Sequence, residues 1–276
     1  MKYLNLLAIA MLAVAFTACS DEPKSTYTRE FNMIYPQHAA GHKSISKIEK
    51  IYENGAKAVA EASYDGDHLR TVTATYIDKT GSVYNEETIH FDYKNGAIIC
   101  DKKIQPVTYA FEVNNQGSII KLTNVTTSRT ASALSYGAGN QLEVAQVVTP
   151  SSTNVTKMHW DNNSIAYWNY YAISKTDSVA YDYTQAIPNK GGVDVIGNNP
   201  FTFTSLVCEI IRNAGLYGAT SAYLPSVIKT DGRTDPETGE FVLKAYAINY
   251  TLDADGYVTS YTTSENPKYT VKYTYR

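Results

Sequence analysis

Apolar and polar positions alternate along most of this chain, and most regularly at its end. Tyr246, Ile248, Tyr250 and Leu252 alternate with Ala247, Asn249 and Thr251. Asp253-Ala254-Asp255-Gly256 leads into a second run through Thr259, Tyr261 and Thr263. After Asn266-Pro267 a third run carries Tyr269, Val271, Tyr273 and Tyr275. Side chains two apart share a strand face, so each run predicts a half-buried strand. Asp-Gly between two runs predicts a hairpin, because Gly adopts positive φ freely. The implied register sets Ile248 and Tyr250 on one face with Thr259 and Tyr261.

The same pattern recurs upstream. Runs at 45–53 and 56–64 flank Asn54-Gly55, and further turns fall at Asp65-Gly66, Gly81 and Asn95-Gly96. Val107, Tyr109, Phe111 and Val113 precede a loop at 114–117 that sets Phe111 opposite Ile120 and Tyr109 opposite Leu122. Residues 126–141 are rich in Ser, Thr, Ala and Gly and predict a longer loop. Runs at 155–161 and 164–172 flank Asn162-Asn163, a tight-turn pair because Asn tolerates left-handed φ. A two-residue loop pairs Trp160 with Ile165 and Met158 with Tyr167, which gathers Lys157, His159, Trp168 and Tyr170 on the opposite face. A helix is expected over 205–214, where Leu206 and Ile210, and Val207 with Ile211 and Ala214, keep a helical spacing. Thr204 or Ser205 stands at its start and Gly215 just past its end.

These elements predict an all-β fold: a curled antiparallel meander, half-barrel or open barrel, with one short helix packed against it. Roughly a dozen strands cannot stay flat, because sheets twist and large ones curl.

The start of the chain has a different character. Lys2 precedes an apolar core, 6–16, too short to span a bilayer and long enough for a signal peptide. Phe16-Thr17-Ala18-Cys19 resembles a lipobox, which makes residues 1–18 a lipoprotein signal peptide and Cys19 the lipidated N-terminus. Ser20, Asp21 and Glu22 resemble an export signal to the cell surface. Residues 19–44 read as the lipidated N-terminus and a tether, and residues 45–276 as a single all-β domain.

The lipobox, the repeated Tyr-rich hairpins, the late helix and the terminal strand ending at Tyr275-Arg276 together resemble a family of Bacteroidota lipoproteins of unknown function with a porin-like fold. The resemblance covers residues 45–276. It implies a β-barrel-like domain held at the outer membrane by lipid, and it brings no catalytic residues. The strands place Thr, Lys, Glu and Asn where a lipid-facing wall needs apolar residues, so no membrane channel is expected.

Composition narrows the function classes. Of 276 residues, 24 are Tyr against 7 Phe and 2 Trp, and only 18% are charged, which suits a two-faced sheet. The net charge of −3 leaves no basic footprint for nucleic acid. Ser44-Ile45-Ser46-Lys47 and Lys79-Thr80-Gly81 match fragments of penicillin-recognising motifs, but Ser44 opens no helix. His38 and His42 stand four apart across Gly41, which argues against a helix aiming both at a metal. Cys100 and Cys208 fall in apolar surroundings and read as buried free thiols. No catalytic residue, metal site or cofactor is therefore expected. The aromatic cluster at 160–171 carries the functional reading, a non-catalytic binding or adhesion module for a glycan, a peptide or an envelope partner. Trp168, Tyr170, Lys157 and His159 are its contact residues. The expected location is the outer membrane, facing the cell surface, with the periplasmic face as the alternative. An envelope hydrolase is the competing reading.

Overall fold

The computed structural model describes residues 34–36, 38, 42–102, 106–149, 151–172, 175–193, 203–234, 241–264 and 269–276. The expected signal peptide, Cys19 and the Ser20-Asp21-Glu22 signal lie outside these residues.

The strands follow one another around a wall. The first six are β1 (Ile45–Tyr52), β2 (Lys57–Asp65), β3 (His68–Ile77), β4 (Val83–Asp92), β5 (Ala97–Lys102) and β6 (Val107–Val113). Next come β7 (Ile119–Asn124), β8 (Arg129–Tyr136), β9 (Leu142–Val148), β10 (Thr153–Asp161), β11 (Ser164–Ala172) and β12 (Lys175–Asp182). A long crossover then holds β13 (Ile187–Pro188), the helix α1 (Ser205–Asn213) and β14 (Tyr223–Leu224). The wall resumes with β15 (Val227–Thr234), β16 (Phe241–Leu252), β17 (Val258–Thr263) and β18 (Tyr269–Tyr275). Each wall strand pairs antiparallel with its neighbours, while β13 and β14 form a small sheet of their own.

The all-β antiparallel architecture with one short helix agrees with the alternation. Its closure does not agree with the expected half-barrel of about a dozen strands. Among the described residues sixteen strands form one closed barrel, because β1 pairs with β18 from Ile45 opposite Tyr275 to Tyr52 opposite Tyr269. Alternation reports only local pairing, so it carries no signal for a contact between chain ends. The strand count was low partly because β8 falls in the Ser/Thr/Ala-rich stretch expected to be a loop.

The helix lies inside this wall. It packs against β1, β2 and β3, and its residues also reach β10 and β18 across the interior. Small inward residues on β2 and β3, namely Ala58, Ala60 and Ala74, make room for it. Every residue of α1 after Ser205 is buried. Gly215 follows it at φ +76°, a conformation L side chains rarely adopt. A sixteen-strand barrel of porin type encloses a water channel. Here α1, Phe111, Met158, Trp168, Tyr217, Tyr261 and Tyr273 join in one buried cluster. Each fully buried large apolar side chain contributes about 1.5–3 kcal/mol.

One end of the barrel repeats a single device. At the β1–β18, β6–β7, β8–β9, β10–β11 and β16–β17 pairs the register slips by one residue, and each slip leaves a β-bulge. A bulge takes a backbone group out of the ladder. At each of these five the carbonyl before the bulge accepts a hydrogen bond from an aromatic side chain of the next strand or its flank. Tyr64 Oη donates to Ile45, Tyr136 Oη to Ile119, Trp160 Nε1 to Leu142, Tyr183 Oη to Ile165 and Tyr275 Oη to Val258, at 2.7–3.0 Å. Tyr250 Oη likewise donates to the Pro225 carbonyl, just before β15, at 2.8 Å. This aromatic collar uses five of the 24 tyrosines. It also corrects the expected registers, because Phe111 faces Leu122 and Tyr109 faces Asn124.

The crossover and the chain start close the collar end. Leu216, Asn140 and Asn163 carbonyls accept backbone bonds that tie the crossover to the β6–β7, β8–β9 and β10–β11 turns. The described part of the expected tether is docked there. Tyr35 stacks on His68 at 3.7 Å, and a Cβ at Gly117 would lie 2.5 Å from the Pro36 nitrogen.

Candidate functional site

The β10–β11 hairpin was expected to carry the site, and its turn forms as predicted, with Asn162 at φ 47° and Asn163 at φ 60°. Trp160 also faces Ile165 as expected. Ala166 is then bulged, so His159 faces Tyr167 and Met158 faces Trp168. Beyond a one-residue insertion every side chain changes face. Trp168 is therefore a core residue, 1% exposed, with its Nε1 donating to Tyr181 Oη at 2.9 Å. Tyr170 is half-buried and packs against the same core. The expected grouping of Trp168 and Tyr170 with Lys157 and His159 is thus split across the wall.

Lys157 and His159 do point outward, and the bulge gives them different companions. His159 stacks on Tyr167 with ring centroids 4.1 Å apart. The Lys157 ammonium sits 5.8 Å from the Tyr171 ring centroid, within cation–π range. Tyr167 and Tyr171 are each 40% exposed. Asn169 lies between them, opposite Lys157 on one side and Ser178 on the other. The result is an outward aromatic strip with polar groups set between its rings. Sequence reasoning counted Tyr167 and Tyr171 in the aromatic cluster but set Tyr167 on the covered face with Met158 and gave neither a contact role. The signal that points to them is the aromatic residue placed directly before a polar turn in both Tyr64-Asp65-Gly66 and Trp160-Asp161-Asn162, where the bulge recurs.

The interior has its own polar chemistry. Tyr273 Oη donates to Glu209 Oε1 at 2.5 Å, within the core. Burial pushes the Tyr217, Tyr261 and Tyr273 phenols well above their ordinary pKa, and the Glu209 charge adds to this at Tyr261 and Tyr273. The Cys100 thiol donates to Glu87 Oε1 at 3.2 Å, and Cys100 and Cys208 are both buried free thiols. These groups are packed among apolar neighbours away from the outer surface.

Two other arrangements have the residue types of a reactive site. On the outer wall Thr71 Oγ1 lies 3.5 Å from His90 Nδ1, and His90 Nε2 lies 3.5 Å from Asp101. The His90 and Asp101 side chains are 46% and 57% exposed, so this row stands in solvent with nothing to hold or desolvate a substrate. At the collar end His38 and His42 stack at 4.3 Å, and burial lowers the pKa of both. Among the described residues no group of three or more His, Cys, Asp or Glu side chains is placed to hold a metal ion.

No protein-family model matches the chain, and no curated protein matches it. Among solved structures it is similar to a porin-like protein from Bacteroides uniformis ATCC 8492, with a TM-score of 0.62 and 17% sequence identity over 84% of this chain and 98% of that one. A porin-like protein from Bacteroides vulgatus ATCC 8482 matches at 13% identity and a TM-score of 0.37, over 85% of this chain and 99% of that one. The first likeness shows a shared barrel fold.

Proposed function

We propose that this chain is an outer-membrane lipoprotein, facing the cell surface, that binds a glycan, peptide or envelope partner on the outside of its barrel without catalysis. The lipobox ending at Cys19 supports the anchor, and Ser20-Asp21-Glu22 supports export. The outer wall supports a barrel held beside the membrane rather than in it. Lys47, Glu49, Glu61, Glu112 and Lys121 lie within strands and face outward, where a lipid-embedded wall needs an apolar band. The observation that carries the binding reading is the outward strip of Tyr167, His159, Lys157, Asn169 and Tyr171. Flat rings with polar neighbours suit the apolar face and hydroxyl edge of a sugar, or an extended peptide.

Membrane fractionation and affinity electrophoresis test the two halves of this reading. Cys19→Ala is expected to move the protein from the membrane fraction to the soluble one. Tyr167→Ala with Tyr171→Ala is expected to abolish retardation in gels containing cell-surface polysaccharide while leaving the unfolding midpoint within about 0.5 kcal/mol of wild type. A membrane-bound Cys19→Ala protein contradicts the anchor. Unchanged retardation in the double variant contradicts the strip.

A further inference from the structure

Charge is unevenly shared around the outer wall. On β1, β2, β6 and β7 the outward lysines meet carboxylates. Lys47 lies 3.2 Å from Glu49 and 3.4 Å from Glu61, and Lys121 lies 3.0 Å from Glu112. Lys157, at the centre of the aromatic strip, has no such partner. Among the described residues its ammonium makes no hydrogen bond or ion pair, and the group beside it is the Tyr171 ring. The register shows why. Opposite Lys157 stand Val144 on β9 and Asn169 on β11, and Ser178 on β12 stands beyond Asn169. The carboxylates of β9, β10 and β11 are Glu143 and Asp161, each next to a turn at the collar end. The chain as a whole has a net charge of −3, yet the middle of this face carries an ammonium, an imidazole and neutral groups.

Strand pairing also fixes which side chains share the face. His159 is directly opposite Tyr167, Lys157 opposite Asn169 and Val155 opposite Tyr171, while Met158 and Trp168 form the inward pair between them. Tyr167 and Tyr171 are four residues apart on one strand, about 13 Å. That span suits a short run of sugar rings with Lys157 and Asn169 at its middle. An extended peptide finds less here. The barrel is closed, so its wall offers no free strand edge with which a peptide backbone could pair. Contact on this face comes from side chains alone.

We infer that the strip takes an acidic glycan, a polysaccharide whose sugar units carry carboxylates. The tyrosine rings receive the apolar faces of the sugars. The Asn169 amide donates to and accepts from their hydroxyls, and the Lys157 ammonium donates to a carboxylate. With no carboxylate of the protein beside it, Lys157 keeps its charge for the ligand. This names the ligand class of the strip proposed above and rests on that reading.

The test is titration calorimetry of the purified full chain with three probes of similar length: an oligogalacturonate, a neutral gluco-oligosaccharide and an oligoglutamate. Lys157→Gln is the charge variant and Tyr167→Ala the ring variant. Both side chains are exposed, and unfolding midpoints are expected to match wild type. The oligogalacturonate is expected to bind about tenfold or more tightly than the neutral sugar, and the oligoglutamate not to bind. Lys157→Gln is expected to weaken oligogalacturonate binding about fivefold and to leave the neutral sugar unchanged, whereas Tyr167→Ala weakens both. Equal affinity for the neutral sugar, or wild-type oligogalacturonate binding by Lys157→Gln, overturns the acidic-glycan inference. If Tyr167→Ala still weakens binding in that case, the strip itself stands. Oligoglutamate binding as tight as that of the oligogalacturonate also overturns it, because charge alone then suffices. If neither sugar binds, the inference falls, while retardation in polysaccharide gels that is lost in the Tyr167→Ala, Tyr171→Ala variant keeps the broader reading.

Discussion

The two ends of the barrel treat their polar groups in opposite ways. At the collar end the backbone carbonyls freed by bulges are met by Tyr64, Tyr136, Trp160, Tyr183 and Tyr275, and the crossover ties three turns together. At the opposite rim, Asn249, Thr262 and Thr270 form an outward polar row, while the Thr263 hydroxyl is buried on the inner side without a partner. Satisfied polar groups stabilise a fold, exposed ones are met by water, and a buried one without a partner costs stability. The contrast assigns stability to the collar and the helix, and leaves binding to the outer wall.

The largest expected effect separates the barrel filling from the rim. Ile210 on α1 is fully buried, so Ile210→Ala removes packing and leaves a cavity, at a cost of about 2–5 kcal/mol. Thr262→Ala on the rim is expected to cost less than about 0.5 kcal/mol. Urea unfolding of both variants checks this, and equal losses would erase the distinction between the two regions. A smaller and sharper pair compares hydroxyls. Tyr136→Phe orphans the Ile119 carbonyl and is expected to destabilise by about 1–3 kcal/mol. Thr263→Val removes a buried hydroxyl that has no partner and keeps the side-chain shape. Its expected effect is neutral or stabilising by up to about 1 kcal/mol. Loss of stability in Thr263→Val would show that its hydroxyl is satisfied in the folded protein.

Local features were well marked in the sequence. The Asn162-Asn163 turn and the 205–214 helix, observed as Ser205–Asn213, rest on chemistry within a few residues. Ile248 and Tyr250 also share the inner face with Tyr261, as the final hairpin implied, but Thr259 is bulged and Val258 takes the inner place expected of it. Bulges were not legible from the alternation itself, because one extra residue leaves a two-residue period intact on each side while exchanging the faces between them. Ala166 is the consequential case: it turned Trp168 and Tyr170 inward and gave Lys157 and His159 the tyrosines 167 and 171 as neighbours. The β1–β18 pairing was hidden for a different reason, since closure joins segments more than 200 residues apart. The outward row of Asn249, Thr262 and Thr270 was hidden too, because these residues meet only through strand register.

The central claim is that the inward aromatic side chains fill the barrel and leave binding to its outside. Acrylamide quenching of a Trp160→Phe variant tests it most directly, because Trp168 is then the sole tryptophan. The account predicts blue-shifted emission and near-complete protection, as befits a side chain that is 1% exposed. Quenching of Trp168 as efficient as that of free tryptophan would contradict it, placing the residue in water.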